Sequence, residues 1–130
     1  MTLAVAYWCV LIAALLPYLW VAVAKTRGDR YNNHDPRGWL QRQESRLVRR
    51  ANGAHLNAFE AFAPFAASVV MAQLAGVAHT TVAALALAFI TFRVLHGVFY
   101  LTDHHLLRSL AWAGGLGCVL ALLAQAALHA

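Results

Sequence analysis

Two stretches of this chain gather side chains able to hold, bind or move charge. The first carries Arg50, Asn52, His55, Asn57 and Glu60; the second carries Arg93, His96 and Tyr100, followed after a turn by Arg108. At 100° per residue, Arg50, Asn57 and Glu60 share one stripe of a helix, with Gly53 between them and Asn52 and His55 nearly opposite. Arg93, His96 and Tyr100, spaced i, i+3 and i+7, share one face of another helix. An arginine cannot serve as a base near neutral pH, so its chemistry here is electrostatic. Glu60 lies about 15 Å beyond Arg50, and Arg93 a similar distance before His104. In antiparallel neighbours entering from one membrane face these two charges reach the same depth, and a direct Glu60–Arg93 pair is expected.

The elements that must carry these residues follow from the rest of the sequence. Of 130 residues, 62% are hydrophobic and only 12% charged. A soluble domain carries about a quarter charged residues, so half that share points to the membrane and excludes disorder. Residues 3–24 form an apolar run without charge, long enough at 1.5 Å per residue to span the hydrocarbon core. It has no basic residue before it and exceeds a signal peptide's apolar region, despite the small residues at 22–24. Three more apolar stretches follow at about 51–75, 77–101 and 106–128. The expectation is an all-α integral membrane protein, one domain over residues 1–130, built as a four-transmembrane-helix bundle.

Eight of the ten Lys and Arg fall at positions 25–50. The positive-inside rule places that basic loop in the cytoplasm and both termini outside, which suits a bacterial inner membrane. Gly28 and residues 32–36 read as turns, and Trp39 to Arg50 as an amphipathic lead-in to the second helix. The same basic loop explains the charge without nucleic acid, for which no motif is present. Cys9 and Cys118 read as buried small hydrophobes, and His104-His105 as a wet turn without the partners of a metal site. Asp103 is expected to cap the last helix, the four tryptophans to face lipid or interface, and Gly114, Gly115 and Gly117 to permit close packing. A helix polar on two sides needs protein on both, which argues for an oligomer.

The run Arg50-Ala51-Asn52-Gly53-Ala54-His55-Leu56-Asn57-Ala58-Phe59-Glu60, then Pro64-Phe65, resembles a signature of the MAPEG family, the membrane-associated proteins in eicosanoid and glutathione metabolism. Arg93-Val94-Leu95-His96, Tyr100 and Arg108-Ser109 resemble the family's third-helix end and fourth-helix start. The resemblance covers nearly the whole chain. It implies a homotrimer with glutathione bound between subunits on the cytoplasmic side and a lipophilic electrophile entering from the bilayer. By the same resemblance, Arg50, Asn57, Glu60, Arg93, His96 and Tyr100 bind the tripeptide, and Arg108 stabilises its thiolate. Lys25 or Arg27 stands near a basic residue that ends the family's first helix. Gly53 and Leu56 depart from the pattern, since family enzymes usually carry arginine at the first position and some carry a polar residue at the second. The turn from Tyr100 to Arg108 differs by one residue from some branches.

The chemistry suits these residue types. Glutathione's two carboxylates call for a basic cleft, and its thiol becomes nucleophilic once a fixed cation lowers its pKa. Arg108, near the start of the last helix, adds its charge to that helix's positive end. The expected function is therefore a glutathione-dependent transferase or peroxidase. The alternatives are a non-catalytic scaffold or lipid-binding trimer, favoured by Gly53 and Leu56, and a small proton-coupled exporter built on Glu60.

Overall fold

A computed structural model describes residues 2–130 of the chain. Its elements are α1 (Leu3–Arg27), α2 (Pro36–Gln41), α3 (Arg46–Leu74), α4 (His79–Leu101) and α5 (His105–His129). α1, α4 and α5 are long and apolar enough to cross a membrane. α3 is the longest helix, but its first half carries Arg46, Arg49, Arg50, His55 and Glu60. α3 and α4 form the inner pair; α1 packs along one side of them and α5 along the other.

α1 and α3 extend by more than one residue past the bounds that the apolar runs suggest. α1 continues to Arg27, where Thr26 donates back to the Ala22 carbonyl at 2.8 Å and two basic residues sit at the negative helix end. α3 starts five residues early, at Arg46, because the Ser45 hydroxyl accepts from the Val48 amide at 3.4 Å. Charge ends an apolar run without ending a helix.

The basic segment is folded rather than loose. Asp35 caps α2 by accepting from the Gly38 amide at 3.0 Å, with Pro36 in the first helical position. Buried Gln43 ties the segment together: its Oε1 accepts from the Asp29 amide and its Nε2 donates to the Trp39 carbonyl. A continuous lead-in from Trp39 to Arg50 is not formed, since the chain breaks between α2 and the Ser45 cap.

α3 and α4 meet at a Phe65–Phe89 stack, ring centroids 3.8 Å apart and nearly parallel. Toward α1, α3 presents Ala54 and Ala58, against which Leu16 and Trp20 pack closely, and Ala51, which packs with Ala24. Trp20 and Trp39 are buried, against the expectation that they face lipid or interface. Trp20 packs over Gly97, and Trp39 donates its indole N–H to the Arg30 carbonyl at 3.1 Å. Trp8 and Trp112 are exposed, and Cys9 and Cys118 are buried and free. The glycines of α5 divide: Gly114 sits under Phe92, whereas Gly117 meets nothing within 4 Å.

Both helix-ending turns use a residue in the left-handed region. Gly76 (φ +79°) closes α3, with the Val77 amide donating to the Ala72 carbonyl. Asp103 (φ +62°) closes α4 in the same way, with the His104 amide donating to the Phe99 carbonyl at 2.9 Å. Asp103 therefore ends α4 and does not cap α5, whose N-cap position is His104.

A Cβ at Gly97 would stand 2.0 Å from the Trp20 ring. Gly97→Ala is expected to lower unfolding stability in detergent by about 1–3 kcal/mol, seen as a reduced thermal midpoint. Gly117→Ala, with open space around it, should leave that midpoint unchanged or raise it slightly, because alanine is the better helix former.

Candidate functional site

The polar stripe of α3 faces α4 and α5, and the hydrogen bonds there form a chain. Arg93, only 4% exposed, donates from Nη2 to Asn57 Oδ1 at 2.7 Å. Asn57 Nδ2 donates in turn to Glu60 Oε2 at 3.2 Å. The expected direct Glu60–Arg93 pair is absent among the described residues. Glu60 points outward and is exposed, so the Asn57 amide stands between the two charges, oxygen toward the cation and nitrogen toward the anion.

Two adjoining clefts open between α3 and α5, with α4 beneath. One, about 230 Å³, is lined by Asn57, His96, Tyr100, Arg108, Ser109 and Trp112. The other, about 250 Å³, runs deeper, past Glu60 and Arg93 to the apolar surface of Pro64, Phe89 and Leu116. Asn57 and Trp112 line both.

In the first cleft three side chains are stacked in order. The Arg108 guanidinium lies over the Tyr100 ring, 4.5 Å from its centroid. The His96 ring meets the same tyrosine edge-on at 5.5 Å. His96 is buried, and its Nδ1 has no hydrogen-bond partner among the described residues. A buried unpaired ring nitrogen lining a cleft is an unmet capacity that a polar ligand can fill.

Gly53 explains where Tyr100 sits. A Cβ at Gly53 would stand 2.5 Å from the Tyr100 hydroxyl oxygen and 2.7 Å from its ring. The tyrosine thus occupies space that any larger residue on α3 would claim. Leu56, the other departure, is exposed on a different face and lines neither cleft.

The remaining candidates separate from this cluster. Arg50 lines neither cleft; its Nη1 reaches the Asp103 carboxylate at 3.3 Å, and its buried Nε is unpartnered. An ion pair with an exposed carboxylate contributes about 1 kcal/mol at most, so this contact ties the α4–α5 turn to α3 only weakly. His55 faces α1, where its Nδ1 donates to the Pro17 carbonyl at 2.7 Å. Part of α3's two-sided polarity, which argued for an oligomer, is therefore met within the chain itself. Lys25 lies over the Tyr31 ring, on the flank of α3 away from the clefts.

Sequence reasoning passed over Ser109 and Trp112 as site residues. Trp112, at i+4 from Arg108 on α5, carried an available signal, whereas Ser109 at i+1 carried none.

The family model described as the MAPEG family matches residues 5–128. The chain belongs to the MAPEG family. No curated protein and no solved structure gives a significant match. The family match covers both motif-bearing helices, the basic segment and every residue of the two clefts. The MAPEG family includes glutathione-dependent transferases and peroxidases as well as other members. Within this MAPEG chain, the arrangement brings Asn57, Glu60, Arg93, His96, Tyr100 and Arg108 together and leaves Arg50 at their edge.

The contact between Gly53 and Tyr100 has a measurable signature. Gly53→Ala should destabilise the protein, and by distinctly less in a Tyr100→Ala background, giving a coupling of about 0.5–3 kcal/mol in a double-mutant cycle. Additive effects would mean that the tyrosine does not occupy the glycine's space.

Proposed function

We propose that the protein is a glutathione-dependent membrane transferase or peroxidase acting on lipophilic electrophiles. The observation that carries this reading is the Arg108 cation held over Tyr100 in a cleft that also contains the unpaired His96 Nδ1 and the Asn57 amide. Together the two clefts fall within the range of small-molecule sites, about 300–1,000 Å³.

On this reading each group has a role fixed by its chemistry. Arg108 and the amino end of α5 favour the thiolate over the thiol, the thiol proton leaving to water. Stacking on Tyr100 holds the guanidinium in place without neutralising it. Asn57 and His96 supply hydrogen bonds to the tripeptide backbone, and exposed Glu60 can take its ammonium group. The thiolate sulfur then attacks an electrophilic carbon, a C–S bond forms, and the leaving group departs with its electron pair. The apolar walls at Pro64, Phe89 and Leu116 offer the electrophile an approach from the hydrocarbon side.

The assembly belongs to the same proposal. α3 is taken as the fourth spanning helix, its polar half shielded by α1, α4 and neighbouring subunits of a homotrimer. The basic segment is placed on the cytoplasmic side, in a bacterial inner membrane.

A second reading, a scaffold of the same fold without turnover, is favoured by Gly53, which leaves the α3 side of the clefts without a cation at that position. Glutathione calorimetry on the detergent-purified protein separates the two. The enzyme reading expects binding in the micromolar-to-millimolar range, together with conjugation of a hydrophobic electrophile. Arg108→Ala should cut that conjugation by about 10²–10³ while the oligomer persists. A folded oligomer that ignores millimolar glutathione would decide for the scaffold.

A further inference from the structure

The far flank of α3 carries a second cavity that the glutathione reading does not use. It lies between α1, α2 and α3 and holds about 660 Å³, more than twice either cleft. Asn52 and His55, the polar residues opposite the Asn57 stripe, both line it. We propose that this cavity binds one anionic phospholipid, its phosphate held between Lys25 and Arg37 and its chain laid along α1 and α3.

The charge at the cavity mouth is free to take an anion. Lys25 and Arg37 both line the cavity and are exposed, and neither has a carboxylate within 4 Å among the described residues. Lys25 Nζ is instead poised over the Tyr31 ring at 4.4 Å, a contact that orients the ammonium without discharging it. Asp35 is the acidic residue nearest in sequence to α2. Its two oxygens are already engaged by the Gly38 amide and by Arg42 at 3.3 Å. No acidic residue lines the cavity among those described. Positions 25–50 hold eight basic residues against three acidic ones, so the surrounding field favours an anion as well.

The cavity also runs in the direction a lipid would. Lys25 directly follows the uncharged apolar run of α1, so its ammonium sits where hydrocarbon gives way to headgroups. Tyr18 lies seven residues, about 10 Å, deeper along the same helix, with Val21 between them. Leu56 extends that apolar wall on α3, and Leu40 closes it from α2. Asn52 and Gln41 add amide groups to the lining, able to hydrogen-bond an ester. Basic pockets beside membrane helices are a recurring way to hold anionic headgroups. A soluble phosphate would use only the mouth of this cavity; its depth and apolar walls select an amphiphile.

The test uses the full chain in neutral detergent, with bound lipid counted by native mass spectrometry. Phosphatidylglycerol, phosphatidylcholine and inorganic phosphate are offered separately. Phosphatidylglycerol should be retained at least tenfold better than phosphatidylcholine. Lys25→Gln with Arg37→Gln should abolish that preference, whereas Lys25→Arg keeps it. Arg30→Gln with Arg46→Gln removes the same charge outside the cavity and should preserve the preference. Leu56→Trp fills the apolar wall and should expel the lipid with every charge intact. Equal losses in the two double variants would reduce the effect to diffuse loop charge and overturn the site. Full competition by millimolar inorganic phosphate would overturn the lipid as its ligand. None of these readouts involves glutathione, so the proposal stands or falls apart from the enzymatic reading.

Discussion

The guanidinium of Arg93 is buried inside a protein whose surroundings are apolar, and the arrangement of the neighbouring helices answers to that. An arginine at the centre of a membrane helix costs about 2.5–3.5 kcal/mol even on permissive scales. Here the cost is met by Asn57, which accepts from Arg93 at 2.7 Å and passes the polarity on to Glu60. The amide lets the carboxylate remain at the surface while the cation stays inside. The relay keeps an anionic group at the cleft wall and a cation behind it, which is the polarity a zwitterionic ligand can use.

Holding that relay fixes the order of the bundle. α3 must face α4 through Asn57 and Phe65, which turns its alanine stripe of Ala51, Ala54 and Ala58 toward α1. α5 then closes over the other side of the pair, bringing Arg108 above Tyr100. The two flanks of α3 diverge in consequence. One opens polar clefts against α5, and the other opens a larger amphipathic cavity against α1 and α2. His55 belongs to the second flank, because its hydrogen bond to the Pro17 carbonyl commits it to α1.

The sequence pattern made much of this legible. Apolar run length marked the long helices, and the spacing of Asn57, Glu60, Arg93, His96 and Tyr100 grouped residues that do converge on the clefts. What escaped it were properties set by partners instead of period. Trp20 and Trp39 look interfacial by type, yet Gly97 and the Arg30 carbonyl give them buried seats. Asp103 sits where a helix cap is expected, but its positive φ comes from closing α4, and its carboxylate turns to Arg50. The relay through Asn57 was invisible because helical spacing places Glu60 and Arg93 at equal depth without saying which side chain comes between them. The folding of the basic segment was hidden for a related reason: Gln43, which ties it together, carries no signal in a segment read by its charge.

Gly53 shows how a departure from a family pattern acquires meaning from geometry. Read as a missing arginine, it weakens the cleft by one cation. In the structure the missing side chain is also missing volume, and the Tyr100 ring fills it. That seat sets the height of the aromatic face on which Arg108 rests, and the edge that meets His96. The substitution therefore does not simply subtract a charge from α3. It transfers the positioning of the cleft's remaining cation to a tyrosine on α4, held by contact with backbone instead of by a counter-ion. A guanidinium held by a ring keeps its full charge for a ligand, whereas one held by a carboxylate has already spent part of it.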